Sequence, residues 1–500
     1  MEDFFKGLSA DFILYTISVL VQIISIPIYL NFISDYELGI WIVIQSVMGF
    51  LGLFSALGGN PFLIKKISSD TLYSDQARAN IYFSNIMLMQ AFAGISILLF
   101  GGILWANIDL IIPADVSNES ISSTFIIVLI VLIFNLPIDA YNSILKARKR
   151  LALSNVIENS RLIVLSIAAV FFMYLDFGFL SFGFAAILSN LMPAFYVIFI
   201  IKRDFPGVRV SRSDFSLELV REVYNYMKHI IPLVLINSLR SAYLPFIVAK
   251  LFNPGLVLIV NLTYKLPQTI QGIFAKIAIN LFPLLCRSYE DNSSVREQYI
   301  TYSVFLMRAS ALLIILLMYL NGPFVKTWVG DSRLAGSYEN AVLILSAFVY
   351  MYANGIGIFI DASGRFGKLV KISFFELFLA FILSIVLYEP YGLLGVLSGY
   401  MSSRFISLFY VVRRLNIENN TNFLRILSDG FYYIFSGALL TLLVMIMINS
   451  SFEINTWIEI ILVVAVGIIC NILPYELIRF FKCQKQNFFD RLKYSLRIDI

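Results

Sequence analysis

The sequence predicts an all-α polytopic membrane protein of about fourteen transmembrane helices, two six-helix lobes in parallel repeat followed by two further helices. Three observations carry this expectation. The 500 residues are 59% hydrophobic and 14% charged, with a mean hydropathy of +0.84, which leaves too little polar surface for ordinary water-facing domains. Apolar runs of about 20 residues, long enough to cross roughly 30 Å of hydrocarbon, recur almost without pause. Short sequence pieces also return at a nearly constant spacing.

In order, the runs cover approximately 10–32, 38–58, 79–103, 123–145, 152–175, 178–201, 229–251, 256–286, 299–320, 338–362, 368–388, 391–412, 430–449 and 456–478. The first follows an acidic head, MEDFFKGLSADFILYT. It is too long for a signal-peptide core and no small-residue cleavage site follows it, so it is expected to stay as a helix. Gly178 and Phe195-Tyr196-Val197 in the sixth run correspond to Gly392 and Phe409-Tyr410-Val411 in the twelfth, at an offset of 214. KARKR (146–150) aligns with DASGR (361–365) at 215, and Pro27 with Pro245 at 218. Six helices separate equivalent points, so both copies share one orientation and the repeat axis runs along the membrane normal. The expected organisation is an N-terminal lobe over 1–201, a basic cytoplasmic linker over 202–228, a C-terminal lobe over 229–414, and helices thirteen and fourteen with a basic tail over 415–500.

With the first residues in the cytoplasm, the loops on that side carry 28 of the 37 Lys and Arg; the opposite loops carry only Lys326 and Arg333. The positive-inside rule expects this asymmetry, and it places both termini in the cytoplasm. Opposite-side loops such as 107–122 and 321–337 are too short for a catalytic domain, and no D-x-D, G-x-S-x-G or P-loop pattern stands where chemistry would need it. No catalytic residue is expected, and the chain is not expected to be an enzyme. Cys286, Cys470 and Cys483 lie in or beside membrane runs and His229 is the single histidine, so neither a disulfide framework nor a metal site is expected.

Seven cations remain inside the runs: Arg161, Arg240, Lys250, Lys265, Lys276, Arg308 and Arg404. They stand beside five acids, Asp139, Glu158, Asp361, Glu376 and Glu476. A central charge costs about 2.5–3.5 kcal/mol on insertion scales, so a bundle interior or watery cavity is the expected place. Arg240 sits near the middle of IPLVLINSLRSAYLPFIVAK (231–250), with Asn237 and Ser241 on its face of the helix. In the eighth run Asn261, Lys265, Gln268 and Lys276 fall within an arc of about 80°. Lys250 and Lys276 have stems long enough to snorkel. Glu158 and Arg161, three apart, allow a local ion pair. The excess of cations leans towards an anionic substrate holding phosphate or pyrophosphate.

Helix 2 with its approach, DYELGIWIVIQSVMGFLGLFSALGGNPFLIKKIS (35–68), resembles the segment after the first helix in polysaccharide repeat-unit flippases of the Wzx type. These belong to the multidrug/oligosaccharidyl-lipid/polysaccharide exporter superfamily. FVKTWVG (324–330) and IDASGRFGKLVKISFFE (360–376) resemble it too, with Trp328 read as an interfacial anchor. The resemblance implies a MATE-like V of two lobes around a central cavity in the cytoplasmic (inner) membrane. It implies alternating access, moving undecaprenyl-pyrophosphate-linked oligosaccharide to the outer leaflet for O-antigen and other lipopolysaccharide, capsule or exopolysaccharide synthesis. Coupling to a proton or sodium gradient is implied, with no other cofactor. The implied partners are the lipid-linked oligosaccharide and membrane lipids, with a polysaccharide polymerase and a chain-length regulator beside them and no nucleic acid. Many relatives have twelve helices, so the pair at 430–478 also brings in lipid II flippase-like and teichoic-unit exporters, and the lobed fold admits a cation-coupled drug antiporter. On this reading Arg240 and Lys265, with Asn237 and Gln268, contact the anionic group; Arg161, Arg308 and Arg404 supplement them, and Asp139 or Glu376 carries the coupling ion.

Overall fold

The computed structural model describes residues 2–68, 76–107, 119–148, 150–228, 230–290, 295–363, 367–419, 421, 438–448, 454 and 456–484. The expected loop over 108–118, Lys149, His229, Arg365, and the tail from 485 lie outside these residues, as does the side chain of Cys483. Cys286 and Cys470 form no disulfide among the described residues.

Regular structure among the described residues is helical. The first ten apolar runs each fall on one α-helix, the second running on into a 3-10 segment, Gly52–Gly58: α1 (Glu2–Tyr29), α2 (Asp35–Leu51), α4 (Gln76–Ala106), α5 (Glu119–Ala147), α6 (Leu151–Tyr174), α7 (Leu180–Asp204), α9 (Ile231–Leu251), α10 (Pro254–Glu290), α11 (Val295–Val329) and α12 (Ser337–Ala362). Runs eleven and twelve are two limbs of α13 (Gly367–Glu418), and the last two runs fall on α14 (Ala438–Ile448) and α15 (Trp457–Gln484). Two short helices, α3 (Asn60–Ile67) and α8 (Leu217–Met227), lie outside the apolar runs or at their edge. Nine helices among the described residues are individually long and apolar enough to cross a membrane.

Local chemistry sets several boundaries. Ser34 and Glu37 form a reciprocal capping box at the start of α2, and Thr456 with Glu459 does the same for α15, satisfying amide donors that lipid would leave exposed. Gly392 interrupts α13 at φ 55°, ψ −131°, a conformation that only glycine adopts cheaply. Beyond that turn the two limbs touch closely. A Cβ on Gly395 would lie 1.9 Å from the Leu387 carbonyl oxygen, and one on Gly399 would lie 2.6 Å from the Ser384 amide nitrogen. Small residues at this spacing let membrane helices meet backbone to backbone.

The internal repeat has a physical counterpart. Gly178 takes φ 53°, matching Gly392 at the equivalent turn. Phe195 and Phe409 are 72% and 68% exposed, as lipid-facing rings would be, while Val197 and Val411 are 0% and 3% exposed. Equivalent positions therefore share backbone sign and facing.

The chain divides into two compact units, Met1–Asn261 and Leu262–Ile500. In the first, α6 packs on α1 and α7, and α5 packs on α4 and α7. α9 lies against α2 in this unit, although the sequence repeat aligns it with the first helix of the second copy. In the second, α12 packs on α11 and α13. Leu316 and Leu320 of α11, Met445 of α14 and Val463 of α15 form one apolar cluster, so the two last helices dock on α11. Trp328, near the end of α11, is buried against Phe324, 5.3 Å between ring centres.

Candidate functional site

In the first unit the predicted charges gather between α5 and α6. Asn135, Asp139, Asn142 and Lys146 recur at i, i+4, i+7 and i+11, which puts them on one face of α5. Glu158 and Arg161 meet that face from α6. Arg161 Nη1 donates to Asp139 Oδ1 at 3.1 Å. Lys146 Nζ pairs with Glu158 Oε1 at 2.6 Å, and Asn142 Nδ2 donates to the same oxygen at 2.9 Å. The local Glu158–Arg161 pair that spacing allowed gives way to two pairs between helices, because each residue finds an opposite charge at its own depth on α5. Nε and Nη2 of Arg161, and the side-chain carbonyls of Asn135 and Asn142, are buried without a hydrogen-bond partner among the described residues. Buried polar atoms of this kind are met in membranes by water or a bound polar group.

Arg240 is half-buried on α9, with Nη1 3.4 Å from Asn237 Oδ1 one turn earlier. The two share a helix face as their spacing predicts, and their contact is at the long limit of a hydrogen bond.

The second unit places the remaining candidates in two ways. On α10, Leu266, Ile270 and Phe274 pack into a core with Leu317, Ile344, Phe348 and Met351. Lys265 is half-buried and Gln268 exposed, so the polar arc predicted for this helix lies away from its packed side. Arg308 is half-buried on α11.

Arg404 and Glu376 are both buried, on opposite limbs of α13. The Arg404 guanidinium lies 4.5 Å from the centre of the Tyr350 ring and 4.3 Å from that of Tyr400. Its Nη1 donates to the Ser346 carbonyl at 3.2 Å and its Nη2 donates to the Tyr400 hydroxyl. Nε reaches no acceptor among the described residues. Ser407, one turn past Arg404, donates to Glu376 across the limbs. Arginine suits such a cage because its planar, weakly hydrated cation stacks on aromatic faces.

The structure thus brings Asp139 to Arg161, and Arg404 to the neighbourhood of Glu376 through Ser407. Sequence reasoning missed Asn142 and Lys146 on α5, and Tyr350, Tyr400, Ser346 and Ser407 around Arg404. The α5 stripe was visible as a helical repeat of polar residues, and Tyr400 as the i−4 neighbour of Arg404. The described residues hold no group of three His, Cys, Asp or Glu side chains placed for a metal.

The arrangement defines a class: a polytopic helical membrane protein with charged groups held inside its apolar helices. Among solved structures, the chain is similar to the lipid II flippase MurJ in an inward closed conformation, with a TM-score of 0.75 and 13% identity, covering 95% of this chain and 99% of that one. It is similar to an inward-facing multidrug resistance MATE family transporter of the MOP superfamily, with a TM-score of 0.58 and 16% identity over 81% and 96% of the two chains. The MATE multidrug transporter DinF-BH shares a TM-score of 0.58 at 15% identity, over 83% and 93%. The fold is shared with these structures. No curated protein sequence matches the chain significantly. The profile described as "Polysaccharide biosynthesis protein" matches residues 4–289, more than half of the chain, which therefore belongs to that family.

Proposed function

We propose that the protein is a flippase that carries an undecaprenyl-pyrophosphate-linked oligosaccharide repeat unit across the cytoplasmic (inner) membrane by alternating access, for O-antigen, capsule or exopolysaccharide synthesis. The observation that supports this most is family membership in polysaccharide biosynthesis combined with cations held within the spans. Arg240, Lys265 and Arg308 are half-buried on their helices, and these are the groups assigned to the pyrophosphate or an acidic sugar, with Asn237 and Gln268 alongside. Arg404 sits inside its tyrosine cage and Arg161 beside Asp139; they contribute where those contacts open. Asp139 or Glu376 carries the coupling proton or sodium ion. The basic segment 202–228 and both termini face the cytoplasm, and the polymerase and chain-length regulator act on the delivered unit.

Scrambling of a fluorescent lipid-linked glycan in proteoliposomes tests this. Arg240→Ala should slow transfer about tenfold or more, the scale of a lost charge-assisted hydrogen bond, and Arg240→Lys should slow it less. Wild-type transfer in a folded Arg240→Ala protein removes the site assignment. The shared MATE fold supports a second reading, a cation-coupled drug antiporter. Gradient-driven dye efflux without glycan transfer would establish it, whereas transfer of lipid II or a teichoic unit in preference to the repeat unit would move the substrate towards that of MurJ-like exporters.

A further inference from the structure

The segment joining α7 to α9 is built as a surface, and its faces have different chemistry. It is pinned to the first turns of α4 by two asparagines and a serine. Asn80 Nδ2 donates to the Gly207 carbonyl at 2.7 Å and its oxygen accepts from the Arg209 amide at 3.3 Å. Ser84 Oγ accepts from the Ser211 amide at 3.1 Å. Asn85 Nδ2 donates to the Asp214 carbonyl at 2.8 Å, and its oxygen accepts from the Ser216 amide at 2.9 Å. Ser216 then caps α8. α4 has 31 residues, about 46 Å at 1.5 Å per residue, against a hydrocarbon core of about 30 Å. The pinned segment leaves α7 at its basic last turn, Lys202 and Arg203, and lies against the start of α4, so it sits where two apolar helices end, the level at which headgroups are met.

α8 has three sides. Val220, Val223 and Met227 turn into the core formed with Phe62, Leu63 and Phe83. Glu218, Glu222 and Asn225 occupy one flank, where Glu222 pairs with Lys66 at 2.6 Å. Leu217, Arg221, Tyr224 and the C-cap Lys228 occupy the other, within an arc of about 60° at 100° per residue. Leu217 is 88% exposed, and Tyr224 is exposed as well. Arg209, Val210, Arg212 and Phe215, on the pinned stretch just before the helix, are also exposed. Arg209, Arg212, Arg221 and Lys228 make no ion pair among the described residues. Water does not select a flank that mixes Leu, Tyr and Phe with uncompensated cations, while an acidic flank stands on the same helix. An anionic bilayer surface does: it takes the apolar groups below the headgroups, and the cations meet phosphate above them.

We propose that the 209–228 segment, through Arg209, Arg212, Arg221 and Lys228 around Phe215, Leu217 and Tyr224, docks on anionic phospholipid headgroups. This contact is separate from the transported substrate and does not depend on what the protein transports.

The test is a Leu217→Trp reporter in full-length protein, reconstituted in bilayers of phosphatidylcholine containing phosphatidylglycerol. Bromine is placed on the acyl chains of one lipid or the other, and fluorescence is read as the difference from the parent protein. Brominated phosphatidylglycerol should quench the added tryptophan about twofold more than brominated phosphatidylcholine at equal abundance, through local enrichment by the cations. The preference should disappear with Arg209→Gln, Arg212→Gln, Arg221→Gln and Lys228→Gln combined, or in high salt, and survive Glu218→Gln. Each variant must keep the parent's elution profile and thermal midpoint. Equal quenching by both lipids overturns the anionic preference. No quenching by either overturns membrane docking itself, and would assign the flank to a soluble acidic partner.

Discussion

A charge inside a membrane span has to be satisfied, and the individual residues solve this differently. Asp139 and Arg161 answer each other across two helices, Arg404 is enclosed by tyrosine rings, and Arg240 has Asn237 one turn away. The first pair makes a prediction about coupling. Asp139→Asn and Arg161→Gln should each lower the thermal midpoint in detergent. Each leaves a partner without its counter-charge inside an apolar helix pair, which is destabilising. The double variant should lose less than the sum, with a coupling energy of about 1 kcal/mol, within the range for residues in contact. Strict additivity in that cycle would falsify the direct pairing. Every charged candidate was legible in the sequence, because a charge in an apolar run announces itself. The partners were not, since Tyr350, Tyr400 and Asn142 are ordinary residues of such helices until the neighbouring helix and its register are known.

At the scale of the element, glycine has opposite consequences at different places. At Gly178 and Gly392 the backbone takes φ 53° and 55°, and no atom stands within 4 Å of an added Cβ at either. The cost of alanine there is conformational alone, about 1–3 kcal/mol. At Gly395 the backbone is helical but the Leu387 carbonyl occupies the space, so alanine must push the two limbs of α13 apart and should cost more. At Gly49, inside α2, there is open space and alanine should be neutral or stabilising by up to about 1 kcal/mol. Thermal midpoints of the four variants should order as Gly49→Ala highest, Gly178→Ala and Gly392→Ala lower and similar, and Gly395→Ala lowest. A neutral Gly392→Ala would remove the argument that this turn needs glycine. The apolar runs gave ten helices directly, because about 20 apolar residues in a row have few other stable conformations in lipid. α3 and α8 escaped that reasoning. They are short, and α8 follows the alternation of a surface helix, which hydropathy averaging flattens.

At the scale of the whole molecule, the repeat and the charge distribution were both readable before any coordinates, since they depend on sequence order rather than on side-chain partners. Matching φ at Gly178 and Gly392 and matching exposure at Phe195 and Phe409 give the repeat its structural counterpart. Orientation follows from a different source. Loops assigned to one side hold 28 of the 37 Lys and Arg, while Lys326 and Arg333 are the cations of the other, a bias that acts during insertion, when short basic loops resist translocation. Alkaline phosphatase, which folds only after export, should therefore be inactive when fused after Lys228 and active when fused after Asp331. Green fluorescent protein, folded in the cytoplasm, should show the reverse at the same two sites. Helices α9, α10 and α11 lie between these points, and three crossings carry the chain from one side to the other. Phosphatase activity at Lys228 without activity at Asp331 would invert the orientation, and with it the leaflet from which a substrate is taken. Activity at both sites would mean that α9, α10 and α11 do not make three crossings, and would remove the count on which the two-lobe repeat depends.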